Sequence, residues 1–277
     1  IPLRLVGSEM CIRDRVEGCH LLTSPHPRLP LIKHFFFPGF TDKTGGLLRE
    51  AGLEQQRLQF QADPAAMAAF LAQFGVTAAE MAATKVSLFC YPYAPVSELF
   101  RVWQNGAAPI CCLVPEGVAT EAVQAFLGSE AKAGAFASRG ALTVRVLPFV
   151  PQPDYDKLLW VCDFNFVRGE DSFVRAQWAG RPFVWHIYPQ DENLHHKKLR
   201  AFLQRYVAAV PSLATFSLYW NGAPVAGADE AADWAVLWPA VEADMPEIVQ
   251  KSTDWQRQML ENGDLASNLL KFATTLA

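Results

Sequence analysis

Between residues 86 and 187 the chain alternates short apolar runs with segments of helical periodicity, and this alternation restricts the fold more than any other feature. Strands are expected at residues 86–91, 110–114, 142–147, 164–167 and 183–187, with helices at 96–104, 120–127 and 154–161. Parallel neighbours need a long crossover to bring the chain back to the same end of the sheet, and a helix serves as that crossover. Residues 85–210 are therefore expected to form one α/β domain around a mostly parallel, doubly wound sheet.

Within that region the tract 164–193 carries most of the chemistry. An apolar strand (Phe164, Phe166, Val167) runs into the turn Arg168-Gly169-Glu170-Asp171-Ser172. Phe173, Ala176 and Gln177 then share one side of a helix that Gly180 and Pro182 end, and the run 183–188 follows. Arg168 and the free N–H groups of the helix start would sit together at the carboxyl end of a strand, where open α/β sheets bind phosphates and nucleotides. Such a pairing suits a pyrophosphate. Glu170, Asp171 and Ser172 have a plainer reading as capping residues that complement the helix dipole. As a ligand group, Glu170 would orient a sugar hydroxyl or stabilise developing positive charge.

Other strand ends offer aromatics. Phe89 and Tyr91 close the run 86–91, and Phe149 and Gln152 follow the run 142–147. The rings could sandwich a base while the Gln152 amide bonds to it; core packing is the alternative for each ring. The turn Tyr188-Pro189-Gln190-Asp191-Glu192-Asn193 reaches the same end of the sheet, either as a ligand loop or as an ordinary turn with Asn193 as cap of a helix starting near Leu194. His195 and His196 are adjacent on that helix, so they point apart and make a poor metal pair.

The flanks are less regular. Residues 16–28 read as a Pro-punctuated loop, residues 31–37 as a strand, and residues 41–46 as a Gly-rich loop. Asp63-Pro64 starts a helix that presents Met67, Phe70, Leu71 and Phe74 on one face. Beyond Tyr219 the chain is helical, with Trp234, Leu237, Trp238 and Val241 on one side. A net charge of −4 without basic runs argues against a nucleic-acid partner, and no apolar stretch has the length of a membrane span. Cys11, Cys19, Cys90, Cys111, Cys112 and Cys162 form no CxxC pair, and most lie in apolar runs, which indicates reduced thiols in a cytoplasmic protein.

The segments SPHPRLPLIKHFFFPGFTDKTGGLLRE, LPFVPQPDYDKLL and VRGEDSFVRAQWAGRPFVWHIYPQDEN resemble the elongation factor P arginine rhamnosyltransferases, the EarP family. The resemblance implies a GT-B fold, two Rossmann-like domains facing across a cleft. It implies metal-free, cofactor-free, inverting transfer of rhamnose from dTDP-β-L-rhamnose to an arginine of elongation factor P. Phe89, Tyr91, Phe149 and Gln152 match positions around the thymidine. Arg168, Glu170, Asp171 and Ser172 match those around the diphosphate and sugar, with Glu170 important for activity. Tyr188, Gln190, Asp191, Glu192 and Asn193 match further donor contacts.

The family's first strand and its loop of the type DNFGDIGVSWRLAR, with the general-base aspartate, have no counterpart here. Residues 1–15 contain VGSEMCIRDR, which resembles an artefactual translation at the end of an assembled genomic fragment; a genuine irregular arm is the alternative. The expected organisation is a non-native segment at 1–15, a remnant of the acceptor-side domain at 16–84, the donor domain at 85–210 and packing helices at 211–277. On this reading the N-terminal Rossmann-like domain is largely missing and the chain is an inactive fragment. A GT-B transferase for another sugar nucleotide and a non-catalytic nucleotide-binding module are the competing readings.

Overall fold

The structure is a computed structural model and describes residues 14–225, 227 and 232–276. All of the segment 1–15 except its last two residues lies outside the described part. The described part starts with α1 (Asp14–Cys19), and β1 (Thr23–Pro25) pairs antiparallel with β2 (Ile32–His34). The loop expected at 16–28 thus holds a short helix and a strand. The strand expected at 31–37 stops at His34, where its three-residue partner runs out. Beyond it Phe36 turns onto Phe272, with ring centroids 5.3 Å apart.

After β2 come α2 (Leu53–Gln61), α3 (Pro64–Ala72) and α4 (Ala78–Ala82), which lead into the larger sheet. Asp63 caps α3 by accepting from the N–H groups of Ala65 and Ala66, as the Asp-Pro pair predicts. Then β3 (Thr84–Leu88), α5 (Val96–Asn105), β4 (Ile110–Pro115), α6 (Thr120–Leu127), β5 (Phe136–Arg139) and β6 (Leu142–Leu147) follow in order. They continue into α7 (Gln152–Val161), β7 (Phe164–Arg168), α8 (Asp171–Ala179) and β8 (Phe183–His186). The chain ends in α9 (Leu194–Tyr206), α10 (Pro211–Trp220), α11 (Trp234–Ala243), α12 (Met245–Glu261) and α13 (Leu265–Thr274).

The sheet order is β5-β6-β4-β3-β7-β8, parallel throughout except for β5, which pairs antiparallel with β6. The chain builds outward from β3 through β4 to β6, then crosses back over both to place β7 on the other side of β3. The strands predicted from the apolar runs all form. The sequence reading missed β5, whose polar, exposed edge position leaves no apolar run to read.

Burial on both faces explains those runs. Phe164 and Phe166 in β7 point toward Trp220 and Trp238, while Phe183 and Trp185 in β8 meet Phe173, Phe202 and Tyr206 on the opposite side. Helices α5, α6, α10 and α11 form one connected layer, and α2, α7, α8 and α12 another. The last helices differ in burial: Trp255 and Met259 of α12 are buried, whereas Leu269 and Leu270 of α13 are exposed. Pro239 lies inside α11, and Trp234, Trp238 and Val241 remain on its buried side. The described cysteines are free thiols; Cys90, Cys111, Cys112 and Cys162 are buried and Cys19 is exposed.

The end of β8 is held by one buried side chain. Asn221, just after α10, accepts from Ile187 N–H at 2.9 Å and donates to the carbonyls of Trp185 and Ser217, each at 2.8 Å. Truncation strands these backbone groups away from water. Asn221→Ala is expected to cost about 1–3 kcal/mol in urea unfolding, and exposed Asp63→Ala about 1 kcal/mol.

Candidate functional site

The reversal of strand order opens a crevice at the carboxyl ends of β3 and β7. Pairing continues one residue past β3, because Phe89 N–H donates to Phe166 O at 3.1 Å. Arg168, the last residue of β7, is fixed across this edge. Its Nη1 donates to Cys90 O at 3.0 Å, and its guanidinium lies 4.2 Å from the Phe89 ring centroid and 5.2 Å from that of Tyr91. A guanidinium has five N–H donors, so this anchoring leaves donors for an anion.

The turn into α8 is tied from three directions. Ser172 Oγ accepts from Arg168 N–H and donates to Arg168 O, closing the turn with its own side chain. Gly169 donates its N–H to His186 O at 3.1 Å and accepts from Trp185 Nε1–H at 2.6 Å. Gly169 has φ +65°, and an added Cβ would stand 3.1 Å from the Tyr91 hydroxyl, so the position favours glycine on both counts. Glu170 is the N-cap of α8, yet its side chain makes no capping hydrogen bond. The helix N-terminus therefore keeps positive character that a capping carboxylate would have absorbed.

Next to this turn is a cavity of about 300 Å³. Tyr91, Trp185, Ile187 and Tyr188 line it, together with Gly169 and Gln190. Glu170 is the carboxylate and Lys198 the amine that line it. Tyr91 stacks on Tyr93 and meets Tyr188 edge-on, with centroids 5.8 and 5.9 Å apart. Burial pushes the Tyr93 phenol up to about 12 and raises that of Tyr91, so both stay neutral at physiological pH. Glu170 also lines a second cavity of about 480 Å³, between α8 and the segment 38–50, together with Asp171, Gln152 and Glu50.

The sequence candidates divide accordingly. Tyr91, Arg168, Glu170, Tyr188 and Gln190 come together around the crevice. Phe89 lies beneath Arg168 and packs edge-on against Tyr155, 6.0 Å away. Phe149 is 95% exposed beyond β6. Gln152, the first residue of α7, donates to Glu50 at 3.2 Å in the second cavity. The exposed Asp171 carboxylate reaches Arg175 Nε at 3.8 Å. Asp191, Glu192 and Asn193 form an exposed 3₁₀ turn with φ of +55° at Glu192 and +53° at Asn193. Asn193 makes no side-chain cap; instead the buried His195 accepts from Gln190 N–H at 3.1 Å. Among the described residues no three His, Cys, Asp or Glu side chains are grouped to hold a metal ion.

Sequence reasoning missed Lys198 and His186. Lys198 falls on the buried stripe of α9 with Leu199, Phe202 and Tyr206, and a lysine on such a stripe is a signal. His186 was read only as part of an apolar run.

Strand order and crevice together define an α/β protein with a doubly wound parallel sheet, open to a ligand at the strands' carboxyl ends. The chain belongs to the family described as elongation factor P (EF-P) rhamnosyltransferase EarP, which it matches over residues 10–274. It is 44% identical over 277 residues to the protein-arginine rhamnosyltransferase of Pseudomonas putida, a match covering 98% of this chain and 71% of that protein. Its identity to the Pseudomonas aeruginosa protein-arginine rhamnosyltransferase is 43% over 264 residues, 93% of this chain and 67% of that one. A solved structure from work on EarP-mediated arginine glycosylation of translation elongation factor EF-P has the same fold, with TM-score 0.75 and 39% identity, over 87% of this chain and 76% of that chain.

The state of Glu170 can be tested through stability. Burial raises its pKa, and the Lys198 charge opposes that shift. The folded state then holds this proton more tightly than the unfolded chain does, so stability falls as pH rises above about 4.3. Glu170→Gln is expected to raise the melting temperature at neutral pH, with the gain vanishing below about pH 4. Scanning calorimetry across pH 3–8 checks this; a lower melting temperature at neutral pH would mean that Lys198 outweighs burial.

Proposed function

We propose that the protein is a protein-arginine rhamnosyltransferase whose sheet domain is the donor-binding half of a GT-B enzyme. In the reaction it serves, rhamnose passes from dTDP-β-L-rhamnose, with inversion, to an arginine of elongation factor P, and this chain supplies the donor side. An acceptor of this kind puts the reaction in the cytoplasm. The observation that carries the reading is Arg168 and the uncapped start of α8 beside a tyrosine-walled cavity, in a chain of the EarP family. The diphosphate is met by Arg168 and the helix N–H groups, with Lys198 nearby, in place of a metal ion. Glu170 faces the sugar. Phe89, Phe149 and Gln152 serve the thymidine side, with exposed Phe149 swinging onto the base when the donor arrives. Asp171, Ser172 and the turn at Asp191, Glu192 and Asn193 complete the donor contacts.

Calorimetric titration with dTDP tests this reading. Arg168→Ala is expected to weaken binding roughly 10–100-fold, the scale of a lost charge-assisted hydrogen bond. EDTA is expected to leave binding unchanged. Equal affinity in the variant would remove Arg168 from the site.

Transfer makes a further demand. A guanidinium is protonated at neutral pH, so attack on the anomeric carbon needs a carboxylate that receives its proton on the acceptor side. Glu170 is the carboxylate lining the tyrosine-walled cavity, and in this reading it is committed to the donor. We therefore expect the chain alone to bind donor without turnover. Intact-mass measurement of elongation factor P incubated with the chain and dTDP-β-L-rhamnose should show no added deoxyhexose; an addition overturns this expectation.

A further inference from the structure

We propose that His186 is a positioning residue that fixes the tyrosine wall of the crevice through the Tyr91 backbone, an inference that rests on the donor-binding reading above. His186 ends β8 and is fully buried. Its Nδ1 accepts from Tyr91 N–H at 3.2 Å, and its carbonyl accepts from Gly169 N–H at 3.1 Å. One residue thus grips both lips of the crevice, the segment leaving β3 and the turn leaving β7. Its ring meets Tyr91, Tyr93 and Trp220 edge-on, at centroid distances of 5.2, 4.7 and 5.9 Å.

The side chain suits this task better than it suits packing. An acceptor at Nδ1 requires the neutral ring with its proton on Nε2. That Nε2 is buried and has no hydrogen-bond partner among the described residues. An apolar side chain would fill the space without stranding a donor, so packing alone would favour leucine or phenylalanine. The one polar bond the ring makes goes to Tyr91, whose own ring lines the cavity and whose hydroxyl stands 3.1 Å from where a Cβ on Gly169 would be. Burial, reinforced by the Arg168 charge, presses the imidazole pKa down to about 3, which keeps Nδ1 an acceptor at physiological pH. Arg168 is the cation nearby, and Tyr91 and Tyr93 are the other titratable groups whose rings contact it.

Three measurements on the full chain test this. Nitrogen-15 NMR of labelled histidines at neutral pH is expected to show His186 neutral with Nδ1 unprotonated; a protonated ring or the Nδ1–H tautomer overturns the proposal. In His186→Asn the Oδ1 replaces Nδ1, and dTDP affinity should stay within about threefold of the original chain, while His186→Leu should lose roughly tenfold, the scale of one hydrogen bond. Hydrogen exchange at the Tyr91 amide should stay slow in His186→Asn and become fast in His186→Leu. If His186→Leu does not fold, the tautomer and the His186→Asn results still decide. An original chain that fails to bind dTDP overturns the donor reading and this inference with it. Binding by the original chain together with undiminished binding in a folded His186→Leu overturns this inference alone.

Discussion

β3 and β7 lie side by side although β4, β5 and β6 come between them in the chain. The segments leaving their carboxyl ends run to different helices, α5 and α8, so no covalent connection closes the space between those ends. Everything at the site is arranged around that gap. Arg168 spans it by bonding to Cys90 O, Gly169 turns the chain at its edge, and Tyr91 forms the facing wall. Had β7 joined the sheet beside β6, Arg168 and Tyr91 would stand on strands with two others between them.

Two arginines near α8 show how the fold assigns charge. Arg175 is buried and consumed: both oxygens of the buried Asp156 lie within 3 Å of its Nη1, and Glu50 accepts from its Nη2. Taking such charges out of water is costly, and they persist because each is met by the other. This ion pair therefore joins α7, α8 and the segment before α2, with little left to offer a ligand. Arg168 instead spends one donor on a backbone carbonyl and rests its flat face on aromatic rings. Among the described residues no carboxylate pairs with it, so it is oriented without being neutralised, which is the condition for holding an incoming anion.

The five parallel strands were legible because they are largely buried between helix layers, and so appear as apolar runs that periodicity can detect, unlike the exposed β5. The turn at Arg168 was legible for a related reason: charged and small residues interrupt apolar runs abruptly. Phe149 was read from its position after a strand, but an exposed ring shows that sequence position gives the end of the sheet and not the direction of the side chain. His186 and Lys198 were hidden by their company. One sits in Phe-Val-Trp-His-Ile-Tyr and the other on an apolar helix stripe, and their roles depend on contacts with residues far away in the chain. Asn221 is similar: its polar bonds serve a strand edge that no local pattern around it announces.

The loop carrying Gly45 closes on itself, through Gly39 N–H to Gly46 O and Gly45 N–H to Phe37 O, and is then fastened by the far end of the chain. Asn262 donates to Thr41 O, Asn268 donates to Gly45 O, and Leu265 N–H donates to Leu47 O. Phe272 stacks on Phe36 beneath it. During synthesis this loop leaves the ribosome early but gains these bonds only when residues 262–272 have followed. The sheet can form as it is made, whereas the second cavity, which Leu47 and Leu265 both line, is complete only once the end of the chain has arrived.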